Sequence, residues 1–276
     1  MNSNKSAKPI DTHSHSDFSP DSQMSVKQAA QAAFDAGLGG LAITDHLDLK
    51  APGGDTRFAF DPAEQQMVIE SVAKDFPLKI LKGVEIGLQP ENIDDIRIFL
   101  KDFEFDTVIA SIHFVDGVDP YTGGYYEGKE EKQAYGRYLR LTYEMIRTYD
   151  DFDILGHFDY IARYAPYSKR SIRYKEYADE LDSIFRFMIY NGKALEINTN
   201  TYRVRNGQSP VLDPDILKRY SQLGGELLTV GSDAHSPERF GEQFEHYMAF
   251  ARQCGLRYVS YFEKRKPFPL KIEEFI

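Results

Sequence analysis

Cysteine is almost missing from this sequence, since Cys254 is the only one among 276 residues. A single cysteine excludes an intrachain disulfide and any zinc or iron–sulfur site built from thiolates, and such scarcity fits a reducing cytosol. Any metal ligands in the chain must therefore be His, Asp or Glu side chains.

Long apolar runs and an excess of positive charge are missing as well. No segment approaches the roughly 20 apolar residues that span a bilayer. Residues 1–9 lack the apolar core of a secretory signal, so they are expected to form a flexible tail. The 33 Lys and Arg are outnumbered by 43 Asp and Glu, giving a net charge of −10, which disfavours nucleic acid and anionic lipid. We expect a cytoplasmic protein with neither partner, and its oligomeric state stays open.

The chain does contain alternating strand and helix patterns. Segments with helical periodicity and capping residues, such as Ser25, Asp61 and Asp213, lie between most of the apolar runs. No linker divides the alternation, so one α/β domain with a parallel sheet is predicted for residues 10–276. The seven runs that predict strands are Ile10–Thr12, Leu41–Thr44, Lys79–Glu85, Asp106–Ile112, Asp153–Gly156, Ala194–Asn198 and Leu227–Gly231.

Two segments are less regular. The loop Asp116–Gly128 is rich in Gly and Tyr, and it is either a lid over a binding site or an ordinary surface loop. If it is a lid, Tyr125 and Tyr126 are the residues to test as substrate contacts. The segment Lys264–Ile276 either closes the sheet or packs on a partner. Longer helices are predicted at Glu130–Tyr149, Tyr174–Tyr190 and Glu242–Cys254.

Histidines gather at one end of the predicted strands. Six of the seven lie at or just past the carboxyl end of a strand, and two acids do the same. In an α/β barrel these strand ends converge on one face, where active sites are built. Each histidine alone could be an ordinary buried imidazole, as we interpret His246 within a helix, but the shared position indicates a metal site. The strand-end residues are His13, His15, His46, Glu85, His113, His157, Asp233 and His235.

These residues form a donor set that is too large for one ion. With Asp21 they number nine, so two or three divalent ions, of zinc, iron or manganese, are predicted. Such clusters lower the pKa of bound water and neutralise phosphoryl oxygens, which is the chemistry of phosphate ester hydrolysis.

Six short motifs resemble the polymerase-and-histidinol-phosphatase (PHP) superfamily and occur in its order along the chain. The resemblance implies a distorted TIM-like barrel of seven βα units with a three-metal site at the carboxyl ends of the strands. The motifs are Asp11-Thr12-His13-Ser14-His15, Thr44-Asp45-His46, Gly83-Val84-Glu85, Ser111-Ile112-His113, Gly156-His157 and Gly231-Ser232-Asp233-Ala234-His235.

The resemblance also implies how the ligands divide among three metals, with Glu85 bridging the first two. Asp21 reads equally well as a helix-capping acid in a turn. The implied sets are His13, His15, Glu85 and Asp233 for the first metal; Glu85, His113 and His157 for the second; and Asp21, His46 and His235 for the third.

Within the superfamily the chain most resembles the stand-alone histidinol-phosphate phosphatases. Relatives that act on nucleic acid commonly have proline after the histidine that corresponds to His157, whereas this chain has Phe158. The resemblance implies a metal-dependent phosphomonoesterase acting on L-histidinol phosphate. The alternatives are a PHP-type phosphodiesterase, exonuclease or nucleotide phosphatase with the same metals, and a non-catalytic metal-binding module.

The expected mechanism is attack on phosphorus by a metal-bridging hydroxide held by Glu85. Arg163 is the first candidate to bind the phosphate, and Arg203 is the second, because Arg offers a planar fork to phosphate oxygens. Either could instead be a surface residue. Asp159 or a metal-bound water is a candidate donor of the leaving-group proton. Asp48, Asp159 and Glu238 are candidates to contact the substrate ammonium group.

Overall fold

The computed structural model describes residues 8–54, 56 and 58–276. The tail predicted at residues 1–9 therefore lies outside the described residues except for its last two. Of these, Pro9 accepts a hydrogen bond at its carbonyl from the Gly39 amide at 2.8 Å.

Parallel strands form a nearly closed barrel. Their order is β1-β2-β4-β5-β6-β7-β8, and β3 pairs with β4 as a short continuation past the end of β2. Ser14 bridges to Ala234 in parallel, and the His15 amide donates to the Ala234 carbonyl at 2.9 Å. The chain after β8 thus meets the end of β1, and the predicted single-domain, seven-position α/β barrel is confirmed. The strands are β1 (Ile10–Ser14), β2 (Gly40–Ile43), β3 (His46–Leu47), β4 (Lys79–Gly87), β5 (Thr107–Ser111), β6 (Ile154–Leu155), β7 (Ala194–Asn198) and β8 (Leu228–Gly231).

Helices follow most of the strands. The side chains of Ser25, Asp61 and Asp213 accept hydrogen bonds from backbone amides in the first turns of α1, α2 and α7, as predicted. The helix predicted from Tyr174 begins only at α6, because a 3₁₀ turn precedes it. None of the helices in the described part of the chain has the length and apolar character needed to cross a membrane. The helices are α1 (Val26–Asp35), α2 (Pro62–Val72), α3 (Ile93–Lys101), α4 (Glu131–Thr148), α5 (Tyr160–Arg163), α6 (Ala178–Tyr190), α7 (Pro214–Gln222) and α8 (Phe244–Gln253).

A hairpin fills the end of the barrel where the strands begin. Its strands, β9 (Tyr258–Glu263) and β10 (Lys266–Lys271), are antiparallel. Phe262 of β9 is buried against Ile154 and Ala194, the first residues of β6 and β7. The C-terminal segment, whose packing the sequence left open, therefore belongs to the barrel itself and leaves the other end for the polar site.

Candidate metal centre

The carboxyl ends of the strands surround a pocket of about 450 Å³. Beneath it, His13 on β1 and His15 directly after this strand are fully buried. The structure thus brings together the nine residues that the sequence singled out as metal ligands. The predicted ligands that line the pocket directly are Asp21, His46, Glu85, His113, His157, Asp233 and His235.

Glu85 of β4 lies at the centre of the cluster. Its Oε2 is 3.3 Å from Nε2 of His13 and 3.5 Å from Nε2 of His15. Its Oε1 is 3.3 Å from Nε2 of His113 and 2.8 Å from Nε2 of His157. Oε2 also lies 3.0 Å from Nδ1 of His46. The two carboxylate oxygens therefore face different imidazoles, which is the arrangement a bridging ligand requires.

The remaining acids face histidines in the same way. Asp233 Oδ1 lies 3.4 Å from Nε2 of His15, and the Asp233 amide donates to the His13 carbonyl across the barrel seam at 2.8 Å. Asp21 Oδ2 is 3.5 Å from Nε2 of His46 and 3.2 Å from Nε2 of His235. The Asp21 carboxylate therefore faces the histidine cluster, and α1 has Ser25 as its N-cap instead.

The buried donor atoms fit a metal ion. Three atoms are buried and have no hydrogen-bond partner in the described part of the chain: Nε2 of His13, Nε2 of His15 and Oε2 of Glu85. Leaving a polar atom buried and unpaired costs about 1–3 kcal/mol, and a divalent cation between these atoms would remove that cost. Nitrogen and oxygen donors without sulfur suit zinc, iron or manganese.

Further carboxylates orient the imidazoles from behind. Nδ1 of His13 is 2.8 Å from Oε1 of Glu196, and Nδ1 of His113 is 2.8 Å from Oδ1 of Asp48. The other oxygen of Glu196 accepts from the His157 amide at 2.7 Å. Such contacts fix the ring so that Nε2 points to a metal. Sequence reasoning missed Glu196, although an acid inside the apolar run of β7 was the visible sign.

Electrostatics keep the central acids ionised. Burial raises the pKa of Glu85, but the imidazoles of His13, His113 and His46 hold it well below its usual range. Burial likewise raises the pKa of Asp233, but the Arg163 guanidinium together with the neighbouring histidines holds it well below its usual range. Both carboxylates are therefore available to cations without first losing a proton.

Arg163 and Arg203 both line the pocket. Nη1 of Arg163 is 2.9 Å from Oδ2 of Asp233, and its Nη2 donates to Asn198 Oδ1 at 3.0 Å. Arg163 is only 3% exposed, so it is not a surface residue. Arg203 Nε donates to Glu242 at 2.6 Å. Contact of either arginine with phosphate stays a prediction.

Asp159 does not line the pocket. It lies in a separate crevice with Phe158 and Ala162, where the Tyr202 hydroxyl donates to its Oδ2 at 2.6 Å. Burial raises the pKa of Asp159 to about 6. Because Tyr202 holds the carboxylate in that crevice, its position argues against the predicted roles as proton donor and ammonium contact.

The irregular loop covers one side of the pocket, but not through the two tyrosines we selected. Tyr125 and Tyr126 are buried, and their hydroxyls donate to the carbonyls of Ala134 and Ile161. They anchor the loop to α4 and α5 and do not point towards substrate. Nearby, Asp119 of the same loop lines the pocket.

Replacement of Gly87 by Ala should weaken metal binding. A Cβ at Gly87 would lie 1.8 Å from Oδ1 of Asp48, so the Asp48 carboxylate must leave Nδ1 of His113. Loss of such a supporting contact costs about 10- to 100-fold in metal affinity. Metal per chain, measured by elemental analysis against a series of chelator concentrations, checks this. The control is Gly136→Ala on α4, where the nearest atom is the flexible end of Arg140; equal retention by both variants contradicts the expectation.

Nitrogen and oxygen ligands surround a central carboxylate at one end of the barrel, and arginines lie beside them. This arrangement is typical of a metal-dependent phosphoesterase. The model of the PHP domain matches residues 11–200 of this chain. The chain belongs to the PHP family.

Relatives in this family are similar over nearly the whole chain. A probable histidinol-phosphatase of Clostridium acetobutylicum is 35% identical over 93% of this chain and 97% of its own. The histidinol-phosphatase of Lactococcus lactis is 30% identical over 94% of this chain and 96% of its own. The crystal structure of histidinol phosphate phosphatase from Lactococcus lactis, complexed with zinc, L-histidinol and phosphate, superposes with a TM-score of 0.85 at 29% identity. That alignment covers 95% of this chain and all of the other.

Proposed function

We propose that this protein hydrolyses L-histidinol phosphate to L-histidinol and inorganic phosphate. The observation that carries the proposal is the convergence of all nine family-type donors on one pocket. The relative from Lactococcus lactis, solved with L-histidinol and phosphate, aligns over almost the entire chain. This similarity favours a histidinol-phosphate substrate over the other esters that PHP proteins hydrolyse.

Three groups of residues would hold three divalent ions, and zinc is supported by its presence in that relative. Divalent ions in such a site lower the pKa of bound water towards neutrality and neutralise phosphoryl oxygens. Glu85 supplies one oxygen to each of two groups. The groups are His13, His15, Glu85 and Asp233; Glu85, His113 and His157; and Asp21, His46 and His235.

Arg163 is placed to bind the phosphate and to orient Asp233. Two of its nitrogens are occupied by Asp233 and by Asn198. Its Nε is buried and has no hydrogen-bond partner among the described residues, and the side chain lines the pocket, which supports a contact with a phosphate oxygen. Its fixed position adds to transition-state stabilisation because no reorganisation is needed as charge develops. Arg203 and Arg239 extend the positive lining.

Steady-state turnover by zinc-loaded enzyme tests the proposal, measured as inorganic phosphate for the monoesters, as p-nitrophenol for the diester and as shortened product for the oligonucleotide. The panel contains L-histidinol phosphate, nucleotides, sugar phosphates, bis-p-nitrophenyl phosphate and a short single-stranded oligonucleotide. We expect kcat/KM for L-histidinol phosphate to exceed the others at least ~100-fold and to reach about 10⁴ M⁻¹s⁻¹. Equal or better cleavage of the diester or oligonucleotide would assign the same centre to a phosphodiesterase.

A further inference from the structure

Most carboxylates that line the pocket are already occupied. Asp21, Glu85 and Asp233 face the histidines as described above. Asp48 Oδ1 is 2.8 Å from His113 Nδ1, and its Oδ2 is 3.5 Å from His46 Nδ1. The negative charge of these acids is therefore already balanced by the imidazoles of the proposed metal site.

Asp119 differs from these acids. Its Oδ1 accepts hydrogen bonds from the Tyr121 amide at 2.8 Å and from the Tyr160 hydroxyl at 3.2 Å. Its Oδ2 has no hydrogen-bond partner in residues 8–54, 56 and 58–276, and within those ranges no Lys, Arg or His forms an ion pair with it. Asp119 is half-buried and lines the pocket. Hydrogen bonds to Oδ1 therefore fix the carboxylate in place, and Oδ2 remains available to a ligand in the pocket.

Asp119 lies beside a group of aromatic rings through its hydrogen bond to Tyr160. The Tyr160 ring lies 5.7 Å from the His113 ring and 5.1 Å from the His157 ring, measured between centroids. Tyr164 packs edge-on against Tyr160 at 5.5 Å. Asp119, bonded to Tyr160, is therefore next to the second group of ligands. Aromatic faces and a carboxylate together attract an organic cation.

We propose that Asp119 binds the ammonium group of the substrate and so selects phosphate esters of amino alcohols. This inference rests on the proposed function, because L-histidinol phosphate carries its amine two carbon atoms from the ester oxygen. A phosphate at the proposed metal ligands thus places the ammonium group within a few ångströms of the reacting centre, in the pocket that Asp119 also lines. Tyr160 acts as a positioning residue that holds the carboxylate towards the pocket.

The first candidates for this role are less suitable. Both oxygens of Asp48 face imidazoles, and Asp159 lies in another crevice. Glu238 does not line the pocket, and it accepts a hydrogen bond from the Ser236 hydroxyl. Asp119 was not recognisable from the sequence, since it lies in an irregular loop without a repeating pattern.

Asp119→Asn tests the proposal with two substrates. L-histidinol phosphate is compared with 3-(imidazol-4-yl)propyl phosphate, which has the same carbon chain and differs only in having hydrogen in place of the amine. The ratio of kcat/KM for the first to that for the second should fall about 10- to 100-fold, the value of a hydrogen bond to a charged group. The change should appear mainly in KM, and L-histidinol should inhibit the variant correspondingly less.

Asp116→Asn is the matched control. Asp116 is exposed on the same loop and pairs with Arg137, so its variant should keep the wild-type ratio. If wild-type enzyme does not prefer the amine-bearing ester, the proposed function fails. If wild type shows that preference and Asp119→Asn retains it, only the assignment of Asp119 is overturned. An equal loss on both esters with unchanged inhibition by L-histidinol also overturns it, because the role would then be structural.

Discussion

Replacing Glu85 by Gln is expected to lower kcat/KM for L-histidinol phosphate by about 10³-fold or more. A single electrostatic donor in an active site is worth about 10²–10³-fold, and Glu85 serves two ligand groups at once. The neutral amide also leaves five imidazoles without the carboxylate that they face. On the proposed assignment of three zinc ions per chain, bound zinc should fall towards one, because only the group around Asp21 would lack Glu85 as a ligand.

Glu238→Gln is the control for this variant. It makes the same chemical change on an acid that does not itself line the pocket and accepts a hydrogen bond from Ser236, and it should leave zinc content and rate as in wild type. Elemental analysis together with phosphate release measures both quantities. A Glu85→Gln protein that keeps three zinc ions would contradict the bridging role.

Replacing Arg163 by Ala is expected to lower kcat and raise KM, with a combined loss of about 10²–10³-fold. The guanidinium is buried and pairs with Asp233, and Arg163 lines the pocket. Arg163→Lys keeps the charge but replaces the planar fork by one nitrogen. The lysine variant should therefore recover only part of the loss.

Zinc content and a surface control separate the two roles of Arg163. At saturating zinc we expect the alanine variant to retain its metals, which assigns the loss to phosphate binding and orientation of Asp233. Arg140→Ala removes an exposed arginine that pairs with Glu180, and it should behave as wild type. Unchanged kinetics in Arg163→Ala would remove this residue from the site.

The histidine positions were predictable because they depend on local sequence. His13 lies on β1, and His15 follows that strand directly. His113 and His157 come shortly after the ends of β5 and β6. Barrel geometry alone therefore brings these histidines together. The register of the parallel strands then sets the position of each residue along the barrel axis. For example, His46 is paired with Glu85.

The supporting residues were predictable only in part. Glu196 could have been noticed as an acid within a buried strand. Asp119 and Asp159 could not be ranked, because each follows or interrupts an irregular segment whose course depends on packing. Tyr126 bonds to Ile161 and thereby fixes the loop that carries Asp119, and no periodic pattern in the sequence indicates that long-range contact.

The hairpin of β9 and β10 determines the route of substrate and products. Phe262 fills the barrel where the strands begin. Substrate and products must therefore enter and leave through the opening at the carboxyl ends of the strands, beside Tyr121 and Asp119. In the proposed complex the phosphate lies deepest, at the buried histidines, so it would enter the pocket ahead of the organic part and be the last to leave. A one-ended barrel therefore imposes an order on product release: the alcohol departs first, and the inorganic phosphate left behind competes with the next substrate molecule.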